Sequence, residues 1–168
     1  YALNKTMSSE ELREAIEEFM LEHRSASLAT CKDNVPRSSL VQFFLGKDLS
    51  VFILSAGGEK FDAIKANPNV CLLVNTEYIN YRKIKGVQVF GKATTNMEAP
   101  EIFEEAKVYC PEPFLMDHEG ERLKVIKIIP QKIVYLDSLE DGDRTKQILD
   151  LKANRVQIKE DELGLAKL

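Results

Sequence analysis

The chain has no tryptophan, only two histidines and only three cysteines in 168 residues. Cys31, Cys71 and Cys110 are odd in number and far apart, so neither a disulfide framework nor a cysteine-rich zinc site is expected. Cys31 and Cys71 lie in strand-like runs and read as small core residues. His23 and His118 are too separated to suggest a metal pair, and His118, within Met-Asp-His-Glu-Gly, reads as part of a solvent-facing turn. No apolar run is long enough to cross a membrane, and the first six residues lack the apolar core of a signal peptide. Positive charge is not in excess: 23 Lys and Arg stand against 27 Asp and Glu, a net charge of −4. That balance removes any general attraction to nucleic acid or to an anionic membrane; the cysteine usage makes the cytoplasm the expected compartment. The start at Tyr1 suggests that the natural N-terminus differs, with Met7 either internal or a start.

What is present is an ordinary globular composition, 44% hydrophobic and 30% charged, at a length that suits one packed domain. Ser8 and Glu11 have capping-box spacing before a stripe of Leu12, Ile16, Phe19 and Met20, which predicts a helix ending near His23. Strands are expected over 25–31, 35–45, 49–55, 70–74 (with extended backbone reaching to residue 78) and 86–95, with a turn at 32–34. In the last of these, Val87, Val89 and Gly91 share one face, and Gln88, Phe90 and Lys92 the other. Asn96 is placed to cap a helix over 97–109, stopped by Pro111 and Pro113, with a loop over 112–120. Residues 122–129 and 132–136 read as one long strand interrupted at Pro130 by a bulge or edge. Beyond a turn at 140–143, a short helix over 144–151, a strand at 156–158 and an acidic helical end are expected. Six or seven strands in hairpin-like succession, with flanking helices, make an α+β protein built on an antiparallel barrel.

The segment 49–68 combines a buried strand, a small-residue turn and a helix over 59–66 that stops at Asn67-Pro68. Ser55, Gly57, Gly58 and Lys60 fall at the strand-to-helix junction. A helix start presents unpaired N–H groups and partial positive charge, glycine permits close backbone approach, and lysine adds a full charge. The pattern suits a phosphate, although the spacing is not that of a P-loop. Taken alone, Arg37 reads as a strand residue in a surface ion pair, and Ser55, Gly57 and Gly58 as turn chemistry. Tyr78, Tyr81, Arg82, Lys83 and Lys85 read as a surface loop or the rim of a cleft.

Four segments, in order, resemble the pyridoxamine 5′-phosphate oxidase-like family of FMN-binding split barrels: VPRSSLVQ at 35–42, the 55–68 junction, GVQVFGKA at 86–93, and IKIIPQKIVYLD at 126–137. The resemblance implies a six- to seven-stranded antiparallel split barrel over residues 1–137. The remaining extension, 138–168, would pack on the barrel or on a dimer partner. It implies FMN at a homodimer interface, with Arg37 and Lys60 on the phosphate. Ser38, Ser39, Leu40, Val41 and Gln42 would lie along the flavin ring, Ile53, Leu54 and Ser55 beside it, and Gly58 and Gln88 near the cofactor. Two departures stand out. Glu59 occupies the place where the oxidases carry an arginine, and a carboxylate there is unfavourable unless it points away or pairs with a cation. The oxidases' C-terminal tryptophan and arginine-histidine motif are missing, which argues against oxidation of pyridoxamine phosphate itself. The expectation is therefore an FMN-dependent oxidoreductase using a small-molecule electron donor or acceptor, with no identified catalytic side chain. A non-catalytic electron carrier, flavin store or redox sensor is the alternative, as is the same fold around haem or a deazaflavin.

Overall fold

The computed structural model describes residues 6–119 and 122–163. Helix α1 (Ser9–Leu21) opens with the expected capping box: Glu11 N–H donates to Ser8 Oγ, and Ser8 N–H to the Glu11 carboxylate. Strands β1 (Ser25–Lys32) and β2 (Val35–Leu45) form a hairpin across Asp33 and Asn34, whose φ values of 53° and 61° suit Asx residues in a two-residue turn. Strand β3 (Val51–Ser55) starts two residues later than expected, because residues 47–49 form a short 3-10 turn. Helix α2 (Glu59–Ala66) and strand β4 (Asn69–Asn75) follow, and β4 ends before Tyr78. Strands β5 (Lys85–Thr95) and β6 (Lys124–Asp137) flank helices α3 (Glu101–Tyr109) and α4 (Pro113–Glu119); β7 (Lys146–Asp150) and β8 (Arg155–Lys159) complete the order.

The sheet runs β3-β2-β1-β4-β5-β6-β7-β8, all antiparallel, and an additional β3–β6 pairing closes the first six strands into a ring. One strand makes the closure possible. The first half of β6 pairs with β3 and its second half with β7, while β5 runs along the other edge. The change of neighbour falls at Pro130, which has no N–H to donate, and the register with β5 shifts between Phe90 and Gly91. Gly91 is required there: a Cβ would stand 2.4 Å from the Ile129 carbonyl oxygen.

Inside the ring, Leu28, Ile53, Leu72, Val87, Val89, Ile126 and Ile133 are fully buried, together with Leu12 and Ile16 of α1. Burial of each such side chain is worth about 1.5–3 kcal/mol. A smaller cluster of Phe52, Ile102, Ala106, Met116 and Val125 holds α3 and α4 against the barrel.

Among the described residues the sheet has eight strands, and six of them close the ring of the expected barrel. Four other expectations are corrected. Asn96 does not cap α3: its side chain and N–H bond to the Val125 N–H and C=O, and the helix starts after Pro100. Pro113 starts a helix within the expected loop, since proline at a first helical position loses no hydrogen bond. Residues 146–150 are strand, because Gln147 and Leu149 are buried with a period of two. Residues 160–163 are not helical; Gly120 and the end of the expected acidic helix lie outside the described residues.

Candidate functional site

The β3-to-α2 connection has a backbone only glycine tolerates. Gly57 and Gly58 take φ values of 130° and 113°. Ser55 Oγ accepts from the Gly57 N–H at 3.3 Å and lies 3.2 Å from its carbonyl oxygen, to which it donates. No side chain caps the start of α2 at Gly58. Lys60 Nζ donates to the Gly57 carbonyl at 3.1 Å. Across the β3–β6 pair, Lys124 stands opposite Ser55. A Cβ built on Gly57 would lie 3.6 Å from the Lys124 ammonium, and one on Gly58 would lie 3.8 Å from that of Lys60. Two ammonium groups thus flank a bare Gly-Gly backbone at a helix start, a cradle that side chains would fill and that suits a phosphate-sized anion.

Arg37 reaches the same corner from β2, where its guanidinium forms an ion pair with Glu59 in the first turn of α2. The pairing resolves the difficulty raised by the carboxylate, and Glu59 also sits where the helix dipole favours negative charge. Arg37, Ser55, Gly58 and Lys60 are therefore brought together. Lys124 was not singled out in the sequence, because only the strand register places it here.

The rest of the expected set divides by strand parity. Val41 points into the core and Ile53 is fully buried. Ser38, Leu40 and Gln42 point outward, and Leu40 is 83% exposed. Gln42 and Leu54 line a cavity of about 90 Å³ with Arg24, Phe44, Cys110 and Leu115. Gln88 lies on the same outer sheet face as Leu40, in one cross-strand row running Leu40, Ser27, Leu73, Gln88 and Val134. Along β6, Lys124 stands opposite Ser55 and Val134 opposite Gln88, a run of ten residues or roughly 33 Å of strand at ~3.3 Å each. Within one chain Gln88 is therefore remote from the Gly-Gly corner. It lines a cleft of about 340 Å³ with Leu73, Tyr78, Val134, Arg144 and Lys146. Arg144 stacks its guanidinium over Tyr78 at 5.9 Å, so Tyr78 occupies a cleft rim.

Cys31 and Cys71 are half-buried, not core residues. Both belong to strands whose outer face is open, and burial pushes the Cys71 thiol up while nearby Lys132 opposes the shift. His23 Nδ1 lies 2.8 Å from the Phe19 carbonyl at the end of α1. Among the described residues, no group of three or more His, Cys, Asp or Glu side chains is arranged to hold a metal. No helix among them is long and apolar enough to cross a membrane.

Comparison with solved structures places this fold among known ones. A conserved hypothetical protein of Mycobacterium tuberculosis aligns with a TM-score of 0.62 at 21% identity, covering 79% of this chain and 86% of that one. A Mesorhizobium loti protein described as FAD-binding aligns with a TM-score of 0.51 at 19% identity, over 69% of this chain and 87% of that one. A haem-binding protein of Mycobacterium smegmatis aligns with a TM-score of 0.63 at 12% identity, over 94% of this chain and 60% of that longer one. No curated protein matches the sequence. The family model described as pyridoxamine 5′-phosphate oxidase matches residues 12–137, from within α1 through the last residue of β6. This is the whole closed ring together with the Gly-Gly corner, and by that match the chain belongs to the pyridoxamine 5′-phosphate oxidase family.

Proposed function

We propose that the protein is an FMN-binding flavoprotein that works as a homodimer and serves as an oxidoreductase. The observation that carries this reading is the pair of ammonium groups facing the Gly57–Gly58 backbone beside Arg37, in a member of this family. Lys60 and Arg37 hold the phosphate, with Ser55 fixing the loop that presents Gly58. The strand-β2 segment 38–42 and the half-buried end of β3 at Leu54 border the ring. Gln88, too far from that corner in its own chain, contributes from a second copy across the open sheet face that carries Leu40 and Leu73. Bound FMN would supply the electron-transfer chemistry, while these residues orient it and control access.

The test is the absorption spectrum of the purified protein, followed by titration with FMN and with riboflavin. Arg37→Ala with Lys60→Ala should weaken FMN binding far more than riboflavin binding; equal loss refutes the phosphate assignment. A Soret band in place of flavin absorbance would support the haem reading, which the description of the mycobacterial relative brings into play. Turnover with a nicotinamide donor and an electron acceptor separates an enzyme from a carrier or store. Sedimentation reports the dimer.

A further inference from the structure

The positive charge at the Gly-Gly corner is not distributed as a simple arginine–lysine pair. Arg37 is engaged by Glu59, so that couple carries no net charge. Lys60 and Lys124 have no ion-pair partner among the described residues, and both ammonium groups face the glycine backbone. Two unpaired cations match the charge of a phosphate monoester near neutral pH, which is close to −2. Lys124 is half-buried and held in β6 opposite Ser55, so its ammonium is directed by the sheet and not by a loop.

We infer that Lys124 is a further phosphate-binding cation of this chain, beside Lys60 and Arg37, and that Glu59 acts as a specificity-determining residue by competing with the ligand for Arg37. The inference rests on the flavin reading above and deepens it. In this arrangement FMN is held by Lys60 and Lys124, and it must compete with the Glu59 carboxylate for Arg37. The cofactor therefore exchanges more readily than it would if Arg37 were free.

The test measures dissociation constants for FMN and riboflavin on the full chain. Lys124→Gln should weaken FMN binding about tenfold or more and leave riboflavin within about twofold. Lys124→Arg should restore most of the loss, which excludes a folding defect. Glu59→Gln should tighten FMN several-fold without affecting riboflavin, and that gain should vanish when Arg37→Gln is added, because Glu59 acts through Arg37. Lys124→Gln without effect on FMN, or with equal loss of both ligands, overturns the assignment of Lys124. A Glu59→Gln gain that persists without Arg37, or no gain at all, overturns the role of Glu59. If the unaltered protein binds riboflavin but shows no preference for FMN, the phosphate site as a whole is refuted. If it binds neither flavin, the flavoprotein reading falls and this inference with it.

Discussion

Replacing Arg82 with methionine tests how the C-terminal extension is held to the barrel. Arg82, from the β4–β5 connection, pairs with Asp161 beyond β8, and their side chains are only 12% and 5% exposed. The Arg82 Nε also donates to the Gly142 carbonyl at 3.1 Å. Asp161 accepts from the Arg144 N–H at 3.0 Å and the Leu163 N–H at 3.1 Å, and its own N–H donates to Thr145 Oγ1. Removing one partner of a buried pair costs about 3–5 kcal/mol, because the remaining charge is left without its counter-ion. Two backbone donors still serve the Asp161 carboxylate in the variant, so the low end, about 3 kcal/mol, is expected. With a urea slope of about 2 kcal/mol/M, the midpoint should fall by about 1.5 M. Far-UV circular dichroism during urea titration measures this, and hydrogen exchange at Arg155–Lys159 should accelerate most. Arg82→Met combined with Asp161→Asn removes both charges, and should recover a large part of the loss. An Arg82→Met variant within about 0.5 kcal/mol of the original, or a double variant as unstable as the two single losses summed, would refute the reasoning.

Gly91→Ala forces a Cβ to within 2.4 Å of the Ile129 carbonyl oxygen and 3.0 Å of Pro130 Cα; these are backbone atoms that cannot rotate away. A loss of at least about 2 kcal/mol follows, read as a fall of about 4–8 °C in the melting temperature. Ser8→Ala removes the hydroxyl that accepts the Glu11 N–H at 3.1 Å, and should cost about 1 kcal/mol in the same melt. Burial pushes the Tyr135 phenol up, opposed in part by the Lys85 ammonium beside its ring. Burial pulls Lys85 down, but the phenol and Asp137 outweigh it and the net direction is upward. The folded state thus favours the protonated form of both groups. Their contribution is complete below about pH 10 and is lost as pH rises through the folded-state values. Tyr135→Phe should make the alkaline decline in melting temperature shallower, and an unchanged decline would count against the shift.

What could be read from the sequence was what local chemistry decides alone. The Ser8–Glu11 box, the Asp33-Asn34 turn and the alternation in β5 each depend on residues within a few positions, and each appears where expected. The bulge at Pro130 was legible for the same reason: a missing N–H has few places to go. The errors arose where one residue type serves two ends of a helix or two partners. Pro113 is as suited to starting a helix as to ending one, and the buried Met116 on α4 decides between them. Asn96 has a cap-forming side chain, but the edge of β6 offered it a backbone N–H to accept first. In β7 the burial of Gln147 hid the strand, since a polar residue at an inward position breaks the apolar alternation on which the expectation relied.

The candidate site divides along the same line. Gly57, Gly58 and Lys60 are contiguous, so their convergence follows from a single turn. Lys124 is distant in sequence from that turn, and only the β3–β6 register, the pairing that closes the ring, brings it to Ser55. Closure of the barrel and assembly of the cationic corner are therefore one structural event. The same register explains why Glu59 can be accommodated there. The Lys124 ammonium supplies the charge that the Arg37–Glu59 pair cancels, leaving the corner as cationic as if neither Lys124 nor Glu59 were present. A substitution at position 59 alone should accordingly change the affinity for a phosphate without disturbing the fold. Glu59 is 71% exposed and its partner Arg37 46% exposed, and surface ion pairs of this kind contribute only about 0–1 kcal/mol to stability.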